Sequence, residues 1–200
     1  LVEQLPGAVW VEYEALSWDN ERAGTRMAFG QPVRPIAKLD QAHTIVALDC
    51  DLFIEHPAAI PYSRDFAKGR RGDKPSNRLW AIESTFSSTG AMADHRLPLR
   101  SELILPVCQA LDAALAGGVA PTSEALAEGK VARFLQVLAE ELREQNGKAV
   151  LVAGRRQPAQ VHALVAKING AIGAVGNTLT YVNDPEPERQ LSHLDAISKL

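Results

Sequence analysis

Thr44-Ile45-Val46-Ala47-Leu48 runs straight into Asp49-Cys50-Asp51, and the organisation of the chain is read outward from there. A short run of apolar and β-branched residues without alternation suits a parallel strand buried on both faces. Leu79 to Ile82 and Ala149 to Val152 (AVLV) have the same character. Ala8 to Tyr13 (AVWVEY) is aromatic and β-branched and reads as a further strand, and Leu179 to Val182 reads as a short last one.

Helical segments separate these runs. Ser17 to Glu21 supplies N-cap chemistry for a helix to about Phe29, stopped by Gly30 and Pro32. Pro57 stands where a first helical turn begins, and that helix reaches about Lys68. Glu83 to Arg100 reads as irregular. Ser101 and Glu102 open an amphipathic helix to about Leu115, broken by Gly117, Gly118 and Pro121. Thr122 and Ser123 cap one or two helices reaching about Asn146. Another helix follows Pro158 to about Ile172, and a final one begins near Pro187. Strand and helix alternate, which predicts an α/β domain with helices on both faces and right-handed crossovers. The expected fold is a single three-layer, Rossmann-like α/β/α domain over residues 1–200, with a mostly parallel sheet of about four to five strands.

Composition narrows the function. The formal net charge is -3, so no basic face is expected and nucleic acid is not an expected partner. The densest basic run, Lys68 to Arg71 with Lys74, lies among Gly69, Gly72 and Pro75 and reads as a solvated loop. No apolar run is long enough to span a bilayer, and no segment reads as a signal peptide. Both ends read as cut, so we expect a piece of a longer subunit. Cys50 and Cys108 share no metal-ligand spacing and read as buried fillers, with a disulfide left open. Two cysteines cannot hold a four-thiolate iron–sulfur cluster.

Three constellations invite a chemical reading. Asp49 and Asp51 end a strand and lie two residues apart, so both carboxylates point one way. Ligands of open α/β sheets bind outside the carboxyl ends of strands, where such a pair could hold Mg²⁺ against a phosphate. The favoured alternative is structural: Asp51 caps a turn and Asp49 pairs with a neighbouring loop. Gly154-Arg155-Arg156 joins a strand to a helix and could bind an anion. The chain has neither GxGxxG nor GxxxxGK[ST], so a tight turn with solvated arginines is preferred. Asp94-His95-Arg96 could offer His95 as a general base, but no nucleophile motif accompanies it. A network that holds the loop is the preferred reading. His43, His56, His162 and His193 share no spacing, and a histidine metal site is not expected.

The run Thr89-Gly90-Ala91-Met92-Ala93-Asp94-His95-Arg96-Leu97-Pro98-Leu99-Arg100 resembles molybdopterin oxidoreductases of the DMSO-reductase and formate-dehydrogenase type. There a strand and a DPR-like segment precede T-A-x-x-A-D-x-x-L-P-I-R-P-G-T-D and a helix. Val11-Glu12-Tyr13-Glu14, Ala47 to Phe53 and Ala153 to Pro158 look like one branch. That branch is the molybdopterin-oxidoreductase-like half of the large iron–sulfur subunit of alternative complex III, also described as Tat-variant-translocated. The resemblance covers most of the chain in order.

The departures fall where the cofactor is gripped. Asp49-Cys50-Asp51-Leu52 stands in place of G-x-N-P, and Glu83-Ser84-Thr85 in place of DPR. Arg100 runs directly into Ser101-Glu102-Leu103 where P-G-T-D would follow, leaving Glu102 without its Gly-Thr turn.

The resemblance implies a structural and interaction domain of a quinol-oxidising, electron-transferring membrane complex, on its extracytoplasmic, periplasmic face. The expected partners are the remainder of its own subunit and the complex's other subunits. Iron–sulfur clusters would lie in that remainder. No cofactor is expected in this piece, which would itself be catalytically silent. One alternative is a half-pocket for molybdopterin guanine dinucleotide. Its vestigial contacts would be Asp49, Asp51, Asp94, His95, Arg96, Glu102, Gly154 and Arg155. Another is a stand-alone nucleotide or phosphate binder using Asp49, Asp51 and Gly154 to Arg156.

Overall fold

The structure is a computed structural model that describes residues 4, 13–71, 76–118, 126, 129–185 and 192–198. The expected strand Ala8 to Tyr13 lies outside the described residues except for Tyr13. So do Gly72, Lys74, Pro75, Pro121, the Thr122/Ser123 cap, and Pro187.

In chain order the elements are α1 (Asp19–Phe29), β1 (Val33–Ala37), β2 (Thr44–Leu48), α2 (Ala59–Gly69) and β3 (Arg78–Glu83). Then come α3 (Ser88–Met92), β4 (His95–Pro98), a 3₁₀ turn (Ser101–Leu103), α4 (Ile104–Leu115) and α5 (Gly129–Glu144). The last are β5 (Ala149–Ala153), α6 (Ala159–Ala171), β6 (Leu179–Asn183) and α7 (His193–Ser198).

A four-stranded parallel sheet in the order β4-β3-β2-β5 forms the middle layer, flanked by helices as expected for a three-layer Rossmann-like fold. β2 sits in its interior, and Ile45, Val46, Ala47 and Leu48 are at most 1% exposed, which explains a strand with no polar face. α6 packs against α1 and α4, and α4 packs against α5. The chain moves from β2 through β3 to β4 on one side, then returns to place β5 on the other side of β2. That reversal puts the ends of β2 and β5 side by side.

Two strands were not legible in sequence. Glu83 to Arg100 is not irregular: it contains α3 and β4, which joins β3 in parallel register from Trp80↔His95 to Glu83↔Pro98. The other is β1, which pairs antiparallel with β6 in a separate two-stranded sheet. Leu179–Asn183 is therefore a strand, as expected, but not part of the main sheet. The outer edge of β5 is already taken. Asn169 accepts from the N–H of Leu151 and donates to its carbonyl, both at 2.9 Å, while Thr178 donates to the Ala149 carbonyl at 2.6 Å.

β1 carries Pro35 mid-strand, which argues against a strand until its edges are inspected. Lys38 N–H bonds the Thr178 carbonyl, so even-numbered residues face β6 and odd-numbered ones face outward. The outward N–H of Val33 donates to Thr25 Oγ1 at 3.2 Å and that of Ala37 to the Tyr62 hydroxyl at 3.0 Å. Pro35 lies between them and has no N–H to leave unpaired.

α1 ends as expected: Gly30 adopts φ +77°, and its N–H bonds the Arg26 carbonyl at 2.8 Å. An Arg22–Asp184 ion pair ties α1 to the chain just beyond β6. Cys50 and Cys108 are both free and buried.

Candidate functional site

The carboxyl ends of β2, β3 and β5 open into one crevice of about 200 Å³. Asp49 to Asp51 follow β2, Glu83 to Ser87 run on from β3, and Gly154 to Arg156 follow β5. Trp18, Glu55 and His56 complete the wall. This is where open parallel sheets place ligands.

The reversal of strand order demands close packing here. Gly154 N–H bonds the Leu48 carbonyl at 2.9 Å. A Cβ on Gly154 would lie 1.9 Å from the Asp49 carbonyl oxygen, so only glycine fits. Asp49 itself adopts φ +49°, a left-handed conformation that few non-glycine residues take. That turn sends its carboxylate across the strand ends. Oδ1 accepts from Ser84 N–H at 2.9 Å and from Ser84 Oγ at 2.8 Å. Oδ2 accepts from Ser101 Oγ at 2.6 Å and from Gln157 Nε2 at 2.9 Å. One carboxylate therefore ties together the end of β2, the end of β3, the turn before α4 and the turn before α6. Burial pushes its pKa up, but the bonds from Ser101, Ser84 and Gln157 outweigh burial and hold it below the ordinary value.

Asp51 is enclosed in the same manner. It accepts from Ser88 Oγ at 2.8 and 2.9 Å, Thr89 Oγ1 at 2.9 Å and Phe53 N–H at 3.2 Å. Thr89 Oγ1 in turn accepts from Leu52 N–H at 2.8 Å. Against the pull of burial, these bonds lower the Asp51 pKa. Glu83, buried at the end of β3, accepts from Ser87 Oγ at 2.5 Å and Arg96 Nε at 2.6 Å. A Cβ on Gly90 would fall 1.8 Å from Glu83 Oε1, so the first glycine of the resemblance motif makes room for this carboxylate.

The remaining residues singled out in sequence scatter. Asp94 precedes β4 at the amino end of the sheet, where it accepts from Leu79 N–H at 2.7 Å and takes both arms of the Arg70 guanidinium. His95 stacks on Trp80 with ring centroids 4.0 Å apart. Arg96 reaches Glu83 and lies over the Phe86 ring at 4.7 Å. The three belong to structural networks and form no common centre with a nucleophile. Glu102 is exposed and pairs with Arg100 at 3.0 Å. Arg155 and Arg156 stand at the crevice and pair with Glu55 at 3.8 and 3.0 Å. α6 starts only at Ala159, so they occupy the turn before it.

Sequence reasoning missed Ser84, Ser88, Thr89, Ser101 and Gln157 as partners of the two acids. The available signal was the hydroxyl-rich run Ser84 to Thr89 facing two nearby carboxylates. His56 was likewise missed. It stacks on Tyr62 at 4.6 Å, accepts from Ala58 N–H at 3.0 Å, and burial pushes its pKa down to about 4. Burial also pushes the Cys50 thiol up, which leaves it un-ionised at neutral pH.

Molybdopterin guanine dinucleotide, the group implied by the resemblance, does not fit the residues present. Four carboxylates, Asp49, Asp51, Glu55 and Glu83, face the crevice against the two arginines Arg155 and Arg156. Both oxygens of Asp49 are committed to internal donors. The volume of about 200 Å³ is below the ~300–1,000 Å³ of sites for ligands of drug size.

No protein-family model matches the chain, and no curated protein sequence matches it. Among solved structures, its fold is similar to part of acetylene hydratase from Pelobacter acetylenicus, with a TM-score of 0.54 and 12% identity. The likeness covers 82% of this chain and 26% of that one, so the chain spans about a quarter of its neighbour's length. At that identity the likeness concerns the fold.

Proposed function

We propose that this chain is a structural and interaction domain of the molybdopterin-oxidoreductase type that holds no dinucleotide of its own. One observation carries the reading. At the ends of the strands, where such a domain would grip a cofactor, Asp49 has both oxygens filled by the domain's own hydroxyl, amide and backbone donors, and Asp51 is held by Ser88, Thr89 and the Phe53 N–H. A ligand would have to break those bonds and enter a crevice with more carboxylates than cations. Here the residues of a cofactor loop serve as a clasp between strand ends.

The family placement rests on the ordered resemblance in sequence, and the fold shared with part of acetylene hydratase is consistent with it. Within that family the branch we favour is the iron–sulfur subunit of alternative complex III. The domain would then position the electron-transferring half of its subunit at the extracytoplasmic face of a respiratory membrane. No helix among the described residues is long and apolar enough to cross a membrane.

A second reading is a half-pocket for the dinucleotide, favoured by the position of the crevice at the β2/β5 reversal. Thermal unfolding with and without guanine nucleotides and Mg²⁺ separates the two. A nucleotide at 100 times its Kd would add about 2.7 kcal/mol, which raises Tm by roughly 5–10 °C in a domain of this size. We expect no shift. A saturable rise, or near-stoichiometric molybdenum in the intact purified protein, would overturn the proposal in favour of the half-pocket.

A further inference from the structure

A second, much smaller cavity of about 20 Å³ lies inside the fold, bordered by α1, α2, α6, β1 and β5. Its polar lining includes Glu21, Thr25, Tyr62, His162 and Asn169. Some of these groups are already spent. Thr25 Oγ1 donates to the Arg22 carbonyl and accepts from Val33 N–H, and the Asn169 amide is bonded to Leu151. Others are not. His162 is 6% exposed, and its Nε2 has no hydrogen-bond partner. The Tyr62 hydroxyl accepts from Ala37 N–H, which leaves its own hydrogen to donate. Glu21 is 8% exposed and brings a carboxyl to the same wall.

We propose that this cavity holds one structural water, bridging His162 Nε2, the Glu21 carboxyl and the Tyr62 hydroxyl. Its volume of about 20 Å³ exceeds the ~10–15 Å³ that a single water needs. Buried waters bond about three polar groups, and His162, Glu21 and Tyr62, with Tyr181 also on the wall, offer at least that many. Whichever tautomer His162 adopts, Nε2 is a donor lacking an acceptor or an acceptor lacking a donor, and water can serve either role. A cation is not favoured, because the site is close to neutral. Burial pushes His162 down to about 4 and Glu21 up to about 8, with Arg34 opposing the Glu21 shift and Asp184 reinforcing it. The water would connect α1, α2 and α6, elements that lie far apart in sequence.

The test is water-selective NMR on the full, isotope-labelled chain at pH 6.5. The expected result is cross-relaxation from a slowly exchanging water to the ring protons of His162 and Tyr62. It should vanish in His162→Leu and persist in Glu21→Gln, whose amide still offers a donor and an acceptor. No water signal at these rings in the wild-type chain overturns the proposal. An undiminished signal in His162→Leu, or its loss in Glu21→Gln, also overturns it. If His162→Leu fails to fold, the wild-type and Glu21→Gln spectra still decide.

Discussion

Three buried titratable groups give this domain a sharply defined pH of greatest stability. Burial raises Glu21 from 4.5 to about 8 and lowers His56 and His162 from 6.5 to about 4. Between pH 6.5 and 8 the folded chain keeps a proton on Glu21 that the unfolded chain has lost. Stability therefore falls as pH rises through that window, by less than about 1 kcal/mol per pH unit, because the unfolded histidines are still losing protons there and offset part of the Glu21 effect. The loss by pH 8 is about 1 kcal/mol, or a drop in Tm of roughly 2–4 °C for a domain of this size. Below pH 6.5 the sign reverses. The unfolded chain now takes up two protons that the folded histidines refuse, while Glu21 opposes with one. The net cost is about 3 kcal/mol by pH 4, against a total stability of roughly 5–15 kcal/mol for a natural domain. Asp49, Asp51 and Asp94, with lowered pKa values, add to the loss only below their unfolded value of 3.8.

Urea unfolding at half-unit steps from pH 4 to 9 measures this profile. The expected curve has a maximum near pH 6.5 and a descending alkaline limb. Glu21→Gln should abolish that limb and steepen the acid limb, because the histidines are untouched and Glu21 no longer opposes them. A wild-type curve that is level or rising from pH 6.5 to 8 would refute the reasoning. So would a Glu21→Gln variant that keeps the wild-type slope.

Two substitutions probe the clasp at the strand ends. Asp49→Asn keeps size but presents an amide NH₂ to groups that already donate, Ser84, Ser101 and Gln157. It should cost about 1–3 kcal/mol in denaturant unfolding, and an unchanged midpoint would show that the four bonds to Asp49 contribute nothing. Gly154→Ala drives a methyl group against the Asp49 carbonyl oxygen. The expected loss is about 3 kcal/mol or more, read as a Tm fall of at least ~6 °C, and retention of the wild-type Tm would mean that the strand ends separate freely.

How much of this was legible follows from what each segment reports about itself. β2, β3 and β5 are buried on both faces, so their composition alone declares them. β1 and β4 are defined by partners. Val33–Ala37 becomes a strand because β6 pairs one edge while Thr25 and Tyr62 satisfy the outward N–H groups on either side of Pro35, and nothing within the segment announces that. His95–Pro98 is four residues long and takes its register from β3. The site divides the same way. Asp49 and Asp51 were legible as a carboxylate pair at a strand end. Their hydroxyl and amide partners come from positions 35–108 residues away along the chain, and pairings that distant leave no local pattern.

The resemblance motif divides along the same line. Gly90, Asp94, His95 and Arg96 do not converge on one ligand. Gly90 and Arg96 accommodate Glu83 at the carboxyl end of β3, while Asp94 and His95 secure Leu79, Arg70 and Trp80 towards its amino end. A run can resemble a family's order of residues because those residues brace a strand, whatever the crevice beside it holds. Such a resemblance therefore reports the geometry of β3 and β4. The chemistry of the crevice has to be read from the carboxylates and their donors.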